Sequence, residues 1–524
     1  MRCEALVIGG GATGAGIARD LSMRGVEVIL LERGDFSAGA TGRSHGMLHS
    51  GARYAVKDPD SARECAIENK VLKRIAPFCI EDTGGIYLGI NDSDASYLDN
   101  FMGGCSNTGV KAEEITVREA LEREPLISPG TQVAVSVLDA YIDPFFLTQA
   151  NVAEARAIGA EVRNHCEVVG MDLWEDTVIE VRIRDRRSTS LSVVKPDMVI
   201  NATGAWGSRI ASMVGLEIPI RVDKGSLVIM NGRKVNGLVN RLRLPSDGDI
   251  IVPSHSSSIV GTTCDEISSP DDCVATIDDV KLLIQQAAEM VPSIGETRAV
   301  RAYAGIRPLP AEGDEGRDIS RTFKLIDHSQ EGVVNMVSII GGKLTTYRLM
   351  AEKVSDLVME KLGNRGKCRT ASQEIGGECS DHEFDLISDF QAGRMAAKYG
   401  AACRDIAGEC SRTLRGREML CSCEQVLRGE AVYFAQTEDV LSIADILRRT
   451  RAGMGYCQSG MCVTRTLSVL DESGEDPLPL LQDFLEERWK GVQPVLFDTQ
   501  LRQELLKVQL FKSLSLERKG GDGH

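Results

Sequence analysis

The first 32 residues restrict the fold more than any other part of the chain. Leu6-Val-Ile-Gly9 is a run suited to a buried parallel strand, and it enters Gly9-Gly10-Gly11-Ala12-Thr13-Gly14 directly. A helix of small and apolar residues follows from Ala15 to Met23. A second strand-like run, Val26 to Leu31, ends at Glu32, 18 residues beyond Gly14. Strand, glycine turn, helix, strand and terminal acid in this order form a dinucleotide-binding βαβ unit. Gly9 makes the turn, Gly11 lets the backbone approach a pyrophosphate, and Gly14 lets the helix pack close on the strand. The helix N-terminus then faces the phosphates and Glu32 accepts from ribose hydroxyls; an acid at this position argues against a 2′-phosphate.

Two later segments favour FAD over NAD. Met198-Val-Ile-Asn-Ala-Thr-Gly204-Ala-Trp-Gly207 is a strand leading into a glycine turn. Met336-Val-Ser-Ile-Ile-Gly341-Gly342-Lys343-Leu-Thr-Thr-Tyr-Arg348 is another, closing with a helix start. Segments so far apart that return to one sheet fit a large cofactor lying across it, not a compact nicotinamide domain.

Near the other end stand Cys421-Ser-Cys423 and Cys457-Gln-Ser-Gly-Met-Cys462, separated by 33 residues. Four thiolates so grouped suit a soft metal centre, iron–sulfur or zinc. Zinc sites usually begin with a C-x2-C pair, and this spacing differs. A nucleotide cofactor and a one-electron centre on one chain imply electron transfer. Cys264, Cys273, Cys379, Cys403 and Cys410 show no paired spacing and read as idle thiols.

Composition sets outer limits. A chain of 524 residues carries a prior of roughly three or four domains. A net charge of −16, with acids spread throughout, argues against non-specific nucleic-acid binding and requires a locally basic pocket for any anionic substrate. An odd count of 15 cysteines in a long chain with no evident signal peptide points to a reducing, cytoplasmic setting. No apolar run reaches the about 18 residues of a membrane helix, so membrane contact is expected to be peripheral or through a partner.

Gly9 to Gly14, Arg43-Ser-His45-Gly-Met-Leu-His49-Ser-Gly-Ala-Arg53-Tyr54, Gly305-Ile-Arg307-Pro-Leu and Gly341 to Arg348 resemble FAD-dependent glycerol-3-phosphate dehydrogenases. Those enzymes belong to the D-amino-acid-oxidase-like superfamily. Arg451-Ala-Gly-Met-Gly-Tyr-Cys457-Gln-Ser-Gly-Met-Cys462 resembles the bacterioferritin-associated-ferredoxin type of 2Fe–2S domain. Ser459 stands where that pattern has glycine. Together the blocks resemble the large, flavin-carrying (A) subunits of the anaerobic, quinone-linked type, over roughly residues 1–470.

The resemblance implies an α/β fold: a Rossmann-type FAD-binding domain interleaved with a mixed-sheet substrate domain, then a small helical 2Fe–2S domain. The FAD-dependent oxidoreductase would span 1–362, with flavin segments near 1–80, 150–215 and 300–362 and substrate segments near 81–149 and 216–299. A linker and helical connection at 363–416, the 2Fe–2S domain at 417–470 and a helical extension at 471–524 would follow. The tail's helical spacing should break at Pro494, the acidic run 471–476 reads as a solvated linker, and Asp143-Pro144 should cap a helix.

The implied activity is oxidation of sn-glycerol 3-phosphate to dihydroxyacetone phosphate, with hydride passing to FAD and electrons leaving through the cluster to a membrane quinone by way of partner subunits. The chain would sit at the cytoplasmic face of the membrane through those partners. A secondary alcohol needs a base, and a phosphomonoester needs directional positive groups. Residues 43–54 offer Arg43, two histidines and Arg53, while Arg301, Arg307 and Lys343 add charge. By resemblance, Arg53, Arg307 and Lys343 bind the phosphate and His49 is the base. Cofactor contacts are expected at Gly9, Gly11, Ala12, Thr13, Gly14, Glu32, Arg33, Thr41, Ser44, His45, Gly204, Gly342, Leu344 and Thr345, and cluster ligation at Cys421, Cys423, Cys457 and Cys462. Rival readings are an L-2-hydroxyglutarate or opine dehydrogenase on the same fold, and a redox-sensing or assembly subunit with a structural flavin.

Overall fold

The computed structural model describes residues 1–311, 322–377, 379, 386–437, 440–472, 474 and 476–513. The last stretch of the expected extension, 514–524, and parts of the expected linker at 378 and 380–385 lie outside them.

Strand Arg2–Ile8 sits mid-sheet, parallel to Val28–Leu31 on one side and to Leu191–Asn201 on the other. Glu161–Arg163 extends the sheet beyond Val28–Leu31, and Met336–Gly341 pairs in parallel with the end of Leu191–Asn201. Parallel strands are covered on both faces, which is why these read as unbroken apolar runs. Helices Ala12–Met23, Pro144–Ala157 and Tyr347–Lys361 pack together over one face. An antiparallel meander, Cys166–Trp174 with Thr177–Asp185, leads into Leu191–Asn201 and closes the other face with helix Gly207–Ala211. The α/β expectation holds: segments separated by most of the chain return to one sheet.

The second sheet is mixed and nine-stranded. Ala299–Pro310 pairs along Ile220–Met230, followed by Ser257–Gly261, Ile250–Ser254, Leu238–Arg241, Gly85–Gly89, Val133–Val137 and Ala112–Ile115, with Asp265–Glu266 beside Ile220–Met230. Residues 300–310, grouped with the flavin segments in the sequence reading, lie in this second sheet; the chain joins the first sheet at Phe323–Asp327. The pairing sets Arg307 directly opposite Asp223.

Beyond residue 386, helices Asp389–Tyr399, Cys403–Arg412, Arg428–Thr437, Ile443–Thr450, Val463–Glu472 and Pro477–Val492 share one core. That core includes Met395, Ile406 and Phe484 as well as Cys421 and Cys462, so the packed unit is larger than 417–470. Cys379 and Cys403, read as idle, are joined in a disulfide. The tail breaks at Gln493–Val495 before helix Asp498–Ser513. The described residues of the acidic run are exposed, as expected, and Glu472 also pairs with Arg415 and Arg428.

This unit docks through buried ion pairs. Arg449 and Arg448 meet Asp35, just beyond the second Rossmann strand, while His165 meets Asp445. Arg451, wholly buried and left-handed at φ 62°, donates to Asp143 (2.5 Å), Tyr141 Oη (3.2 Å) and Glu424 (3.1 Å). Asp143 is also the expected cap, accepting from the amides of Phe145 and Phe146.

Candidate active site and cysteine centre

A cavity of about 1060 Å³ runs from the glycine turn to the second sheet. Helix Ala12–Met23 opens on it with Gly11 as its N-cap, a residue with no side chain to cap the first turn, an arrangement suited to phosphate. A Cβ on Gly14 would lie 1.8 Å from the Gly9 carbonyl oxygen, so only glycine allows that crossing. The Ala12 amide donates to Thr41 Oγ1 (3.1 Å). Glu32 lines the cavity while accepting from the Gly10 (2.7 Å) and Gly34 (2.8 Å) amides, so its carboxylate also braces the turn. Burial raises its pKa. Arg33 stacks on Trp206 at 5.1 Å. The glycine cradle, the helix N-terminus on the cavity and the terminal acid fit a flavin dinucleotide.

At the far end, segment 43–54 is pinned from several directions. The His49 amide donates to Thr345 Oγ1 (3.0 Å) and the Ser50 amide to Asp139 (2.6 Å); strand Met47–Leu48 pairs with Ala140–Ile142. Burial drives the pKa of His45 down to about 3, and Arg53 and Arg307 push the same way. His49 is likewise lowered, first by burial and then by His45, Arg53 and Lys343. The two differ in availability. His45 Nδ1 accepts from the Met47 amide, whereas His49 Nδ1 is buried without a hydrogen-bond partner among the described residues.

Three cations share this end with Arg43. Arg53 is mostly buried, 3.6 Å from Asp249. Arg307 donates to Asp223 (2.6 Å), Thr262 Oγ1 (2.8 Å) and the Thr263 carbonyl (2.9 Å). Lys343 donates to Ser61 Oγ (3.0 Å) and sits 4.8 Å over the Tyr54 ring, which meets His49 edge-on at 5.2 Å. Ser61, Asp139 and Asp223 were not singled out from sequence; the one local signal available is Asp58-Pro59, which caps the helix carrying Ser61.

Of the expected flavin and substrate residues, all but Gly14 and Thr345 line the cavity. Gly14 packs against Gly9 beneath it, and Thr345 turns its hydroxyl away to hold His49. Arg301 does not line it, facing a separate space against the C-terminal unit.

The four cysteines converge as two pairs, Cys421 with Cys462 and Cys423 with Cys457. The hydrogen bond from Cys462 lowers the Cys421 thiol and raises that of Cys462. The Gly453 amide donates to Cys421 Sγ (3.4 Å). Ser459 adopts φ 67°, the left-handed geometry that favours the glycine of the resembled pattern, and donates to the Gly453 carbonyl (3.2 Å).

The family model of FAD dependent oxidoreductases matches residues 4–357, and the chain belongs to that family. It is 41% identical to the A-subunit of anaerobic glycerol-3-phosphate dehydrogenase from Escherichia coli (strain K12), covering 99% of this chain and 98% of the relative. It is 38% identical to the corresponding A1-subunit from Haloferax volcanii, covering 96% and 89%. Within the oxidoreductases, the chain is therefore a member of the anaerobic glycerol-3-phosphate dehydrogenase A-subunit family. Among solved structures, glycerol-3-phosphate dehydrogenase from Bacillus halodurans complexed with FAD superposes with TM-score 0.73 at 20% identity, covering 95% and 96%. L-alpha-glycerophosphate oxidase from Mycoplasma pneumoniae superposes with TM-score 0.58 at 17% identity, covering 70% and 97%. At these identities the two likenesses establish the fold. No helix among the described residues is long and apolar enough to cross a membrane.

Proposed function

We propose that this enzyme oxidises sn-glycerol 3-phosphate to dihydroxyacetone phosphate and passes the electrons toward a quinone through partner subunits. The observation that carries the reading is the convergence of Arg53, Arg307 and Lys343 around the His45–His49 pair at one end of the flavin cavity. Bound FAD would accept the carbinol hydride, and a 2Fe–2S centre would release electrons singly. Arg53, Arg307 and Lys343 hold the phosphate and, with it, the alcohol. Arg307 keeps donors for an anion after its three protein contacts. His49 takes the hydroxyl proton on a ring nitrogen. Burial keeps it neutral and ready to accept at neutral pH, and the substrate's negative charge favours the imidazolium that results.

The cysteine arrangement supports a binuclear cluster over mononuclear zinc. A single tetrahedral ion draws four sulfurs together, whereas these fall into two pairs, and among the described residues no three of them lie within 4.8 Å of one another. Two thiolates per iron is the demand of a 2Fe–2S centre. The trio Asp35, His165 and Asp445 is close enough for a metal, but Arg448 and Arg449 already occupy its carboxylates.

Anaerobic titration tests the substrate. Glycerol 3-phosphate should bleach the flavin absorbance, while glycerol and L-2-hydroxyglutarate should not. Bleaching by hydroxyglutarate with no response to the phosphate overturns the reading.

A further inference from the structure

Arg451 closes helix Ile443–Thr450 and stands two residues before Gly453, whose amide donates to Cys421 Sγ (3.4 Å). Its guanidinium donates to Tyr141 Oη (3.2 Å), across the boundary between the C-terminal unit and the catalytic body. The Tyr141 ring lies against the backbone of Gly46: a Cβ placed there would meet ring carbon Cε2 at 2.6 Å. Gly46 stands between His45 and Met47, both on the wall of the flavin cavity, and strand Met47–Leu48 pairs with the strand carrying Tyr141. From cavity wall to thiol sulfur, covalent connection is interrupted by one ring contact and by hydrogen bonds of 3.2 and 3.4 Å.

The joints of this path are held from both sides. The buried charge of Arg451 is also met by Asp143 (2.5 Å) and Glu424 (3.1 Å), and a guanidinium shared by two carboxylates keeps one geometry. Asp143 caps helix Pro144–Ala157, which packs on helix Ala12–Met23 of the glycine cradle. Glu424 directly follows Cys423, and its other carboxylate oxygen accepts from Ser256 Oγ (2.7 Å), beyond the end of strand Ile250–Ser254. One side chain is therefore anchored to the flavin body and to both cysteine motifs. The other clamp between the units, Asp35 with Arg448 and Arg449, starts beside Glu32 and Arg33, at the ribose end of the cradle.

We propose that Tyr141 and Arg451 form the electron route from the flavin cavity to the cysteine centre, with Cys421 as the point of entry. This rests on the 2Fe–2S reading given above. Electronic coupling decays more slowly through bonds and short hydrogen bonds than across open space, so a path with few, short gaps is favoured. Each crossing takes one electron from the reduced flavin and adds one to the cluster. No bond is made or broken in either side chain, and the protons released by substrate oxidation leave to solvent from the flavin cavity.

Tyr141→Phe tests the route, because it keeps the ring on Gly46 and leaves Arg451 its carboxylates while removing the oxygen that reaches the guanidinium. Full-length enzyme carrying flavin and cluster is mixed rapidly and anaerobically with glycerol 3-phosphate. Flavin bleaching and the paramagnetic signal of the reduced cluster are followed in time. In Tyr141→Phe the flavin should bleach at the wild-type rate, while the signal should rise at least fivefold more slowly at an unchanged cluster potential. Arg448→Gln, which loosens the other clamp, should leave both phases as in wild type. The route is overturned if the signal rises as fast in Tyr141→Phe as in wild type, or if the delay comes with a shifted potential. Equal slowing in Arg448→Gln overturns it too, since the effect would then be one of docking. A wild type that bleaches its flavin but gives no paramagnetic signal even with dithionite overturns the cluster reading, and the route with it.

Discussion

Arg307→Ala should separate two tasks carried by one guanidinium. The first is catalytic: loss of a charge-assisted pair to the phosphate should cost about 2–5 kcal/mol, or roughly 30- to several-thousand-fold in kcat/KM. The second is structural. Asp223, with a side chain 5% exposed, loses the partner that strand register sets opposite it. Stripping one member of a buried pair costs about 3–5 kcal/mol. The figure here should be nearer 2 kcal/mol, roughly, because Arg307 is itself 25% exposed and the Cys264 thiol still donates to Asp223. That corresponds to a fall of a few degrees in Tm. Adding Asp223→Asn removes the stranded charge and should recover stability without recovering turnover. Anaerobic dye-linked kinetics give kcat/KM, visible absorbance gives flavin per chain, and a melting curve gives the structural part. The reasoning is refuted if Arg307→Ala keeps full flavin and a kcat/KM within about threefold of wild type, or if Asp223→Asn restores turnover together with Tm.

Replacing any of Cys421, Cys423, Cys457 or Cys462 by Ser should weaken or abolish the paramagnetic signal of the reduced cluster while glycerol 3-phosphate still bleaches the flavin; stoichiometric zinc without iron in the wild type would count against the cluster. Gly14→Ala should purify largely free of flavin, since its Cβ meets the Gly9 carbonyl oxygen at 1.8 Å, and normal flavin absorbance would contradict that. His45 and His49 are held neutral when folded, with pKa values below the ordinary 6.5, so only the unfolded chain takes up their protons as pH falls through 6.5. Stability is therefore lost toward acid, by up to about 1.4 kcal/mol per pH unit for each histidine. His49→Asn should flatten the denaturant-measured slope between pH 6.5 and about 5 by roughly one proton, and an unchanged slope would show that His49 protonates in the folded state.

The cofactor half of the site was legible because each of its requirements is met by neighbours in sequence. The turn, the helix start and Glu32 lie within one βαβ unit, and Asp143-Pro144 announces its helix in the same way. The cysteine motifs showed that four thiols gather, but not their partnership. The sulfurs pair across the two motifs, Cys421 with Cys462 and Cys423 with Cys457, because a folded helical core sets which motif end meets which.

Charged residues were the least legible, since an isolated arginine carries no period. Arg301 and Arg307 share one strand, yet six residues of extended chain span about 20 Å. One end therefore reaches Asp223 and the flavin cavity while the other lies under helix Pro477–Val492. Thr345 belongs to a cofactor-like motif but turns inward to hold His49. Arg451 adjoins the cysteine motif but pairs with Asp143, more than 300 residues earlier. From local order alone, then, the sequence determines the dinucleotide cradle and the grouping of four cysteines. Tertiary packing decides which cations line the flavin cavity and which become clamps between units, because a buried charge takes whatever partner the fold brings within reach.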